Sequence, residues 1–495
     1  MLFNSYEFLV FFPIVTLLYF IIPKKIRYIW LLLASYYFYM GWNAKYALLL
    51  LTSTLITYVS GLLLSVVKTE TKRAAEWKKA IVGISFASNL SILFFFKYFD
   101  FAIENTNAVL ARFQIELLNP EFDVLLPVGI SFYTFQALSY TMDVYRGEIS
   151  AEKNPLRYAL FVSFFPQLVA GPIERSKNLL KQLRMEQKFS YEKMVDGLML
   201  MIWGYFLKLV IADRIAIFVD NVYGTEVLYD GRYLLIASIL FAFQIYCDFA
   251  GYSTIAIGAA KVMGFELMEN FNCPYYAQTV AEFWRRWHIS LSSWFRDYLY
   301  IPLGGNRKGT VRKYINTMIV FLVSGLWHGA NWTYVVWGGL NGLYQVIGGL
   351  LTPVRKKMYQ LLPVLEKSKI FMVLRMLVTF VLVDITWIFF RADSLAHAGN
   401  IFERILHMNN PELLANGTLY DLGLNQKNMR VLLVALLFLL TADIFKYNQV
   451  KLRDVILNFN IVNRWLVILL AIAVILLFGI WGSGYEAINF IYFQF

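Results

Sequence analysis

The apolar positions along the chain predict a series of membrane-crossing helices. Long apolar runs occupy most of the sequence outside its middle part, at 8–23, 28–42, 46–67, 80–98, 194–212, 234–249, 314–327, 332–351, 370–390, 431–445 and 465–480. A helix rises about 1.5 Å per residue, so about 20 apolar residues cross the hydrocarbon core of a bilayer. The pattern predicts an all-α polytopic membrane protein with about 11–12 transmembrane helices.

The middle of the chain has a less regular pattern. Prolines interrupt the apolar runs at 124–140 and 158–170, and the segment 282–313 is too rich in arginine to cross freely. Irregular backbone at membrane depth is tolerated only where it is buried in protein or lines a water-filled cavity. We therefore expect short re-entrant or interfacial helices around a central cavity, with residues 1–495 forming a single transmembrane domain.

Composition excludes a soluble protein. Hydrophobic residues make up 59% of the chain and charged residues 16%, and the mean hydropathy is +0.55, against about 45–50% and 25% in soluble domains. Two cysteines, Cys247 and Cys273, support neither a disulfide framework nor a metal site. The net charge of +12 is interpreted as membrane orientation and contact with anionic lipid headgroups, not as nucleic-acid binding.

The distribution of charge predicts the orientation. Basic residues concentrate at 24–27, 68–79, 174–193 and 354–369, whereas 99–123 is acidic. Lys and Arg collect in cytoplasmic loops. We therefore expect these basic segments to be cytoplasmic loops, 99–123 to be an outer loop, and both chain termini to lie outside.

Few side chains can carry chemistry, because the chain has only four histidines. The residues around His397 and His407 are typical of loops, so we expect neither histidine to have a functional role. His328 ends an apolar run, where an ionisable side chain is costly and suggests function. It is either a general base, since neutral imidazole accepts a proton near neutral pH, or a core histidine bonded to a backbone carbonyl.

A segment that alternates tryptophan with arginine is the second candidate. It contains His288 and the possible donor-binding residues Trp284, Arg285, Arg286, Trp287 and Arg296. Such a segment is either an interfacial belt at the headgroups or a cationic, aromatic surface that recognises a phosphate-bearing or thioester donor. Asp248 also follows an apolar run. We therefore expect it to have a cationic partner, an arginine, in a structural ion pair, or else to act directly in the chemistry.

The order of several short motifs resembles the membrane-bound O-acyltransferase (MBOAT) family. The motifs are Pro127–Gln136, Phe165–Arg175, Asp248–Ser253, Phe271–Tyr275, Phe283–Ser292, Tyr300–Asn306, Leu326–Gly329, Trp387–Ala392 and Phe490–Phe495. The branch they resemble most is that of the alginate O-acetyltransferase membrane subunits, with the teichoic-acid D-alanyltransferase branch as a cousin. The sequence has no Gly-x-Ser-x-Gly elbow, Walker loop or His-Glu-x-x-His motif.

The resemblance implies a helical bundle around a funnel in a bacterial cytoplasmic membrane. It implies that His328 and His288 are catalytic, supported by Asp248, Gln136, Trp327 and Asn331. It also implies that no cofactor or metal is bound, that acetyl-CoA is the co-substrate, and that an extracytoplasmic polysaccharide hydroxyl is the acceptor. A separate extracytoplasmic, esterase-like acetyltransferase is the expected partner.

Two alternatives remain open from the sequence. The first keeps the fold but transfers a D-alanyl or other acyl group from an acyl carrier protein. The second is a polysaccharide or lipid-linked sugar transporter that performs no chemistry and would tolerate the loss of His328.

Overall fold

Helices account for all regular secondary structure in the part of the chain that the structure describes. The computed structural model describes residues 1–67, 71–119, 126–169, 171–224, 229–408, 417–480 and 491. The predicted acidic residues Glu121 and Asp123 and the residues after Ile491 lie outside these ranges. The predicted all-α polytopic class is confirmed.

The helices fall into two compact units, formed by residues 1–198 with 256–268 and by residues 199–255 with 269–495. Those that begin before residue 200 are α1 Tyr6–Ile21, α2 Arg27–Met40, α3 Ala47–Val66, α4 Lys72–Arg112, α5 Ile130–Tyr145, α6 Pro155–Ser163, α7 Phe165–Leu168, α8 Ser176–Arg184 and α9 Tyr191–Tyr205. Those that follow are α10 Asp213–Gly224, α11 Gly231–Val262, α12 Val280–Arg286, α13 Ile289–Phe295, α14 Thr310–His328, α15 Trp332–Leu350, α16 Thr352–Leu361, α17 Pro363–Lys367, α18 Lys369–Arg391, α19 Leu395–Leu406, α20 Gln426–Tyr447, α21 Leu452–Leu457 and α22 Ile461–Phe478.

The chain is a multi-pass membrane protein. Among the described residues, seven helical segments are long and apolar enough to cross a bilayer: Ala44–Val66, Lys72–Arg112, Tyr191–Gly224, Gly231–Val262, Lys369–Arg391, Gln426–Tyr447 and Ile461–Phe478. The runs predicted at 8–23, 28–42, 314–327 and 332–351 form α1, α2, α14 and α15, which fall outside this set by length or composition. A total of 11–12 spans therefore stays a prediction.

Helix α4 corrects two predicted loops. It runs unbroken for 41 residues, so Lys72–Lys79 and Phe99–Arg112 are helical instead of belonging to loops on either side of a short span. No proline interrupts this stretch, and lysine and glutamate are good helix formers, so polar residues alone did not end the helix. At about 1.5 Å per residue, α4 is about twice as long as a hydrocarbon core is thick.

In the second unit, α11 makes polar contacts with its neighbours. Ser238 donates a hydrogen bond to the Asp384 carboxylate of α18 at 2.9 Å, and the Tyr246 hydroxyl lies 3.2 Å from the Asp443 carboxylate of α20. Buried carboxylates are costly unless they are hydrogen-bonded. These pairs fix which face of each helix turns towards α11.

Helices α14 and α15 pack closely through glycines. A Cβ atom built on Gly338 would lie 2.3 Å from the Phe321 carbonyl oxygen, and one built on Gly325 would lie 2.3 Å from the Tyr334 carbonyl oxygen. Only glycine permits this separation, because it has no Cβ atom. The close packing places the residues that follow Gly325 on α14 against α15.

We predict that Gly338→Ala destabilises the protein and that Gly339→Ala does not. The new methyl group at position 338 forces α14 and α15 apart, at a cost of about 1–3 kcal/mol. At position 339 the nearest atom is a Leu322 methyl carbon at 3.6 Å, an ordinary contact. Thermal unfolding of the two variants in detergent measures the difference, and equal midpoints would contradict the close packing.

Candidate active site

His328 is the last residue of α14 and is buried. The helix ends there because Gly329 is extended, with φ −161° and ψ 152°, and Asn331 then caps α15. The His328 Nδ1 lies 2.6 Å from the Ser324 carbonyl oxygen. The backbone bond expected of a core histidine is therefore present. Because a carbonyl can only accept, Nδ1 carries the proton, and in the neutral ring Nε2 keeps the lone pair that a general base needs.

Three aromatic side chains, which we call the aromatic wall, surround the His328 imidazole. The ring centroids lie 4.7 Å from it for Trp337, 5.0 Å for Trp327 and 5.6 Å for Phe390. They come from α15, α14 and α18. Bulky apolar rings exclude water, and charges that develop in such a site interact more strongly than in water.

His288 shares the site. Its ring centroid lies 6.5 Å from that of His328, and the residue is fully buried at the start of α13. Burial, with a smaller contribution from His328, lowers the pKa of the His288 imidazole well below its usual range. Burial therefore favours the neutral form of His288. In their neutral forms, two imidazoles in one buried site can accept a proton and orient or polarise a bound carbonyl group.

The five predicted donor-binding residues do not share one surface. Trp284 and Trp287 are buried; the Trp284 Nε1 donates to Asn341 Oδ1 at 3.1 Å, and the Trp287 ring lies 5.1 Å from that of Trp387. Both tryptophans thus pack inside the second unit instead of forming an interfacial belt.

The three arginines of this set also differ from one another. Arg286 pairs with Glu282 at 2.8 Å, whereas Arg285 and Arg296 are exposed. Arg296 also pairs with Asp297 at 2.8 Å, with 64% of its side chain exposed. Donor binding stays a prediction for all three, and Arg285 and Arg296 are the two whose side chains are exposed.

Asp248 forms a buried ion cluster in which the cation is Lys208, not the expected arginine. The Lys208 Nζ lies 2.7 Å from Asp248 and 2.8 Å from Asp213, and the Ile491 backbone N–H donates to Asp248 at 2.7 Å. Lys208 belongs to a π-helical segment, Phe206–Ala212, between α9 and α10. A π-helical turn contains more residues than an α-helical turn, so side chains within it point in different directions. Here Lys208 points towards both carboxylates.

The remaining predicted residues occupy separate positions. Gln136, in the first unit, donates to the Phe161 carbonyl oxygen at 2.6 Å, and Asn331 donates to the Asp393 carbonyl oxygen at 2.9 Å while capping α15. A role in the site stays a prediction for both. His397, predicted in a loop, instead lies in the first turn of α19 after the Ser394 cap, and the exposed His407 follows the end of that helix.

Three residues of this region, Lys208, Trp337 and Phe390, were not predicted from the sequence. Lys208 was detectable as a charge inside an apolar run, which is costly without partners. Trp337 and Phe390 carry no such signal, since an aromatic residue on an apolar helix is ordinarily a packing residue.

Among the described residues, no group of three or more His, Cys, Asp or Glu side chains is placed to hold a metal ion.

Comparisons with known proteins identify the class that this fold and site define. The model of the membrane-bound O-acyltransferase family matches residues 36–385. The chain is 35% identical to the probable alginate O-acetylase AlgI of Pseudomonas putida over the full length of both proteins. It is 34% identical to the peptidoglycan O-acetyltransferase of Helicobacter pylori, covering 83% of this chain and 81% of that one.

A more distant relative is the teichoic acid D-alanyltransferase of Bacillus subtilis, 29% identical over 44% of this chain and 58% of that one. The chain therefore belongs to the membrane-bound O-acyltransferase family, and it is an O-acyltransferase. The predicted resemblance is confirmed.

We predict that Lys208→Met destabilises the protein by about 3–5 kcal/mol, because it leaves the buried Asp213 and Asp248 without their shared cation. Lys24→Met is the matched control: Lys24 and Glu186 are also 2.7 Å apart, but their side chains are 47% and 58% exposed. Its loss should cost little, because solvent screens an exposed ion pair. Unfolding in detergent compares the two variants, and an equal loss would show that burial of the cluster has no energetic consequence.

Proposed function

We propose that this enzyme transfers an acetyl group from a cytoplasmic thioester, acetyl-CoA, across a bacterial cytoplasmic membrane. The final acceptor is a hydroxyl group of an extracytoplasmic polysaccharide. The names of the two relatives that match most of this chain support the acetyl group, since one is a probable alginate O-acetylase and the other a peptidoglycan O-acetyltransferase. Alginate and peptidoglycan are thus the two acceptor classes to test first.

The observation that carries the proposal is the position of His328. A neutral imidazole with Nδ1 bonded to the Ser324 carbonyl presents Nε2 as the base, inside the aromatic wall. General-base catalysis needs a group whose lone pair is available near neutral pH, and a neutral histidine meets that need.

The proposed reaction has two steps at His328. Nε2 takes the proton of the acceptor hydroxyl while the hydroxyl oxygen bonds to the thioester carbonyl carbon. The tetrahedral intermediate then collapses, the carbon–sulfur bond breaks, and the imidazolium returns the proton to the leaving thiolate. An ester and a free thiol result. His288, neutral and 6.5 Å away between ring centroids, orients or polarises the carbonyl.

The donor's phosphates are the proposed ligands of Arg285 and Arg296. Both side chains are exposed, and arginine binds phosphate oxygens in pairs. The basic segments at 24–27, 174–193 and 354–369 support a cytoplasmic position for the donor and an outer position for both termini.

A separate esterase-like acetyltransferase outside the membrane is the proposed partner. In that arrangement, the acceptor hydroxyl at His328 belongs to the partner or to a carrier, and the partner completes the transfer to the polysaccharide. The relationship to the teichoic acid D-alanyltransferase of Bacillus subtilis makes D-alanyl transfer from a carrier protein the other outcome to test.

We predict that His328→Ala lowers acetyl transfer by about 10²–10⁴-fold and that His288→Ala retains more activity, because water can partly replace an orienting group. Purified protein in liposomes is assayed with labelled acetyl-CoA, and separately with a D-alanyl carrier protein. The controls His397→Ala and His407→Ala should remain within about twofold of wild type.

Two results of this assay would contradict the proposal. Activity of His328→Ala within about tenfold of wild type would exclude His328 as the general base. If the wild-type protein transfers D-alanine from the carrier protein but no acetyl group from acetyl-CoA, the donor is the D-alanyl carrier protein and not acetyl-CoA.

We predict that the double substitution Arg285→Ala and Arg296→Ala raises the KM for acetyl-CoA about tenfold or more and leaves kcat nearly unchanged. The reason is that a charge-assisted hydrogen bond to phosphate contributes about 1.5–3 kcal/mol. Arg73→Ala, an exposed arginine at the start of α4, is the control. An unchanged KM in a correctly inserted double variant would exclude these two arginines from donor binding.

A further inference from the structure

We propose that Asn270 is a positioning residue that holds the backbone around His288 and thereby sets the place of the His288 imidazole in the site. This inference rests on the proposed function for its catalytic meaning. The structural part concerns one buried asparagine and the loop–helix junction at His288–Ser290.

The backbone of His288 adopts a conformation that needs support. With φ 43° and ψ 53° it lies in the left-handed region, which costs energy for any residue that has a Cβ atom. Such strained residues persist where surrounding contacts hold them, and they concentrate at functional sites. Because the ring direction follows the backbone, the left-handed conformation determines where the His288 imidazole points.

Asn270 makes the contacts that hold this junction. Its backbone carbonyl oxygen accepts a hydrogen bond from the Ile289 backbone N–H at 3.0 Å. Its side-chain Oδ1 accepts one from the Ser290 backbone N–H at 3.2 Å. Helix α13 begins at Ile289, so these two N–H groups belong to its first turn and have no partner within the helix. One asparagine therefore satisfies the two donors that immediately follow His288.

The asparagine is itself anchored to α11. Its Nδ2 donates to the Ser253 hydroxyl at 3.1 Å, and Asn270, Ser253 and Ser290 are all buried. The same helix contributes Phe249, whose ring lies 4.7 Å from that of His288. Helix α11 thus fixes His288 in two ways, through the Phe249 ring and through Asn270.

The catalytic consequence follows from distance. His288 and His328 come from different helices, and a small displacement of a catalytic group can lower the rate by about 10²-fold. Without the Asn270 side chain, the Ser290 N–H loses its acceptor, and the junction can relax from its left-handed conformation. His288 would then leave the thioester carbonyl, while donor binding at other residues would be unaffected.

A double-mutant cycle tests whether Asn270 acts through His288. Asn270→Ala should lower kcat about 10–100-fold in the wild-type background, with little change in KM for the donor. In a His288→Ala background the same substitution should change kcat by less than about threefold. Asn270→Asp, which keeps an acceptor for the Ser290 N–H, should restore part of the activity.

Asn316→Ala is the matched control for truncating a buried asparagine. Asn316 is fully buried and donates to the Gly305 carbonyl oxygen at 2.9 Å, so its loss reports on stability and not on His288. Any loss it causes should be the same in both backgrounds. If Asn270→Ala does not accumulate in membranes, Asn270→Ser, whose hydroxyl is too short to reach the Ser290 N–H, takes its place in the cycle.

A second measurement does not depend on acyl transfer. Modification by diethyl pyrocarbonate, followed by peptide mass spectrometry, should be faster at His288 in Asn270→Ala than in wild type, and unchanged in Asn316→Ala. Equal losses of kcat in both backgrounds, or an unchanged modification rate, would overturn the positioning role. Failure of the proposed function would instead appear as absent transfer by the wild-type protein while the modification result still holds.

Discussion

The close packing of α14 against α15 is the constraint on which the site depends. Glycine at positions 325 and 338 lets the two helices approach until a Cβ atom would contact the opposite backbone. His328 ends α14 one turn beyond Gly325 and Trp337 precedes Gly338, so this packing brings the imidazole within 4.7 Å of the indole. A looser helix pair would admit water, and the imidazole would lose the environment in which its interactions are strong.

Helix α11 organises the second unit, because three buried carboxylates of that unit lie on this helix or bond to its residues. Asp248, Asp384 and Asp443 are buried carboxylates, and each lies on α11 or bonds to a residue of α11. Because unpaired charges at membrane depth are costly, such pairs specify helix order and rotation where apolar contacts alone would not. The same helix also anchors the junction at His288.

The class of the fold and the two histidines that share the buried site could be predicted from the sequence because composition and an isolated ionisable residue are strong signals. His328 stands alone at the end of an apolar run, and a short string of Trp and Arg surrounds His288. Loop boundaries were harder to predict from the sequence. The polar residues between 99 and 112 indicated a loop, but α4 continues through them because nothing there disfavours a helix. Lys208 as the partner of Asp248 depends on a π-helical segment that no local pattern indicates.

We propose that acyl transfer takes place beside His328 within the aromatic wall. A thioester donor whose short acyl group carries a diazirine tests it most directly, with photolysis during turnover and mapping of the labelled peptides. Transfer at this position predicts labels at Trp337, Phe390 or their immediate neighbours, and their disappearance when unlabelled acetyl-CoA is added in excess. Labels confined to lipid-facing helices such as α4, insensitive to that competition, would contradict it.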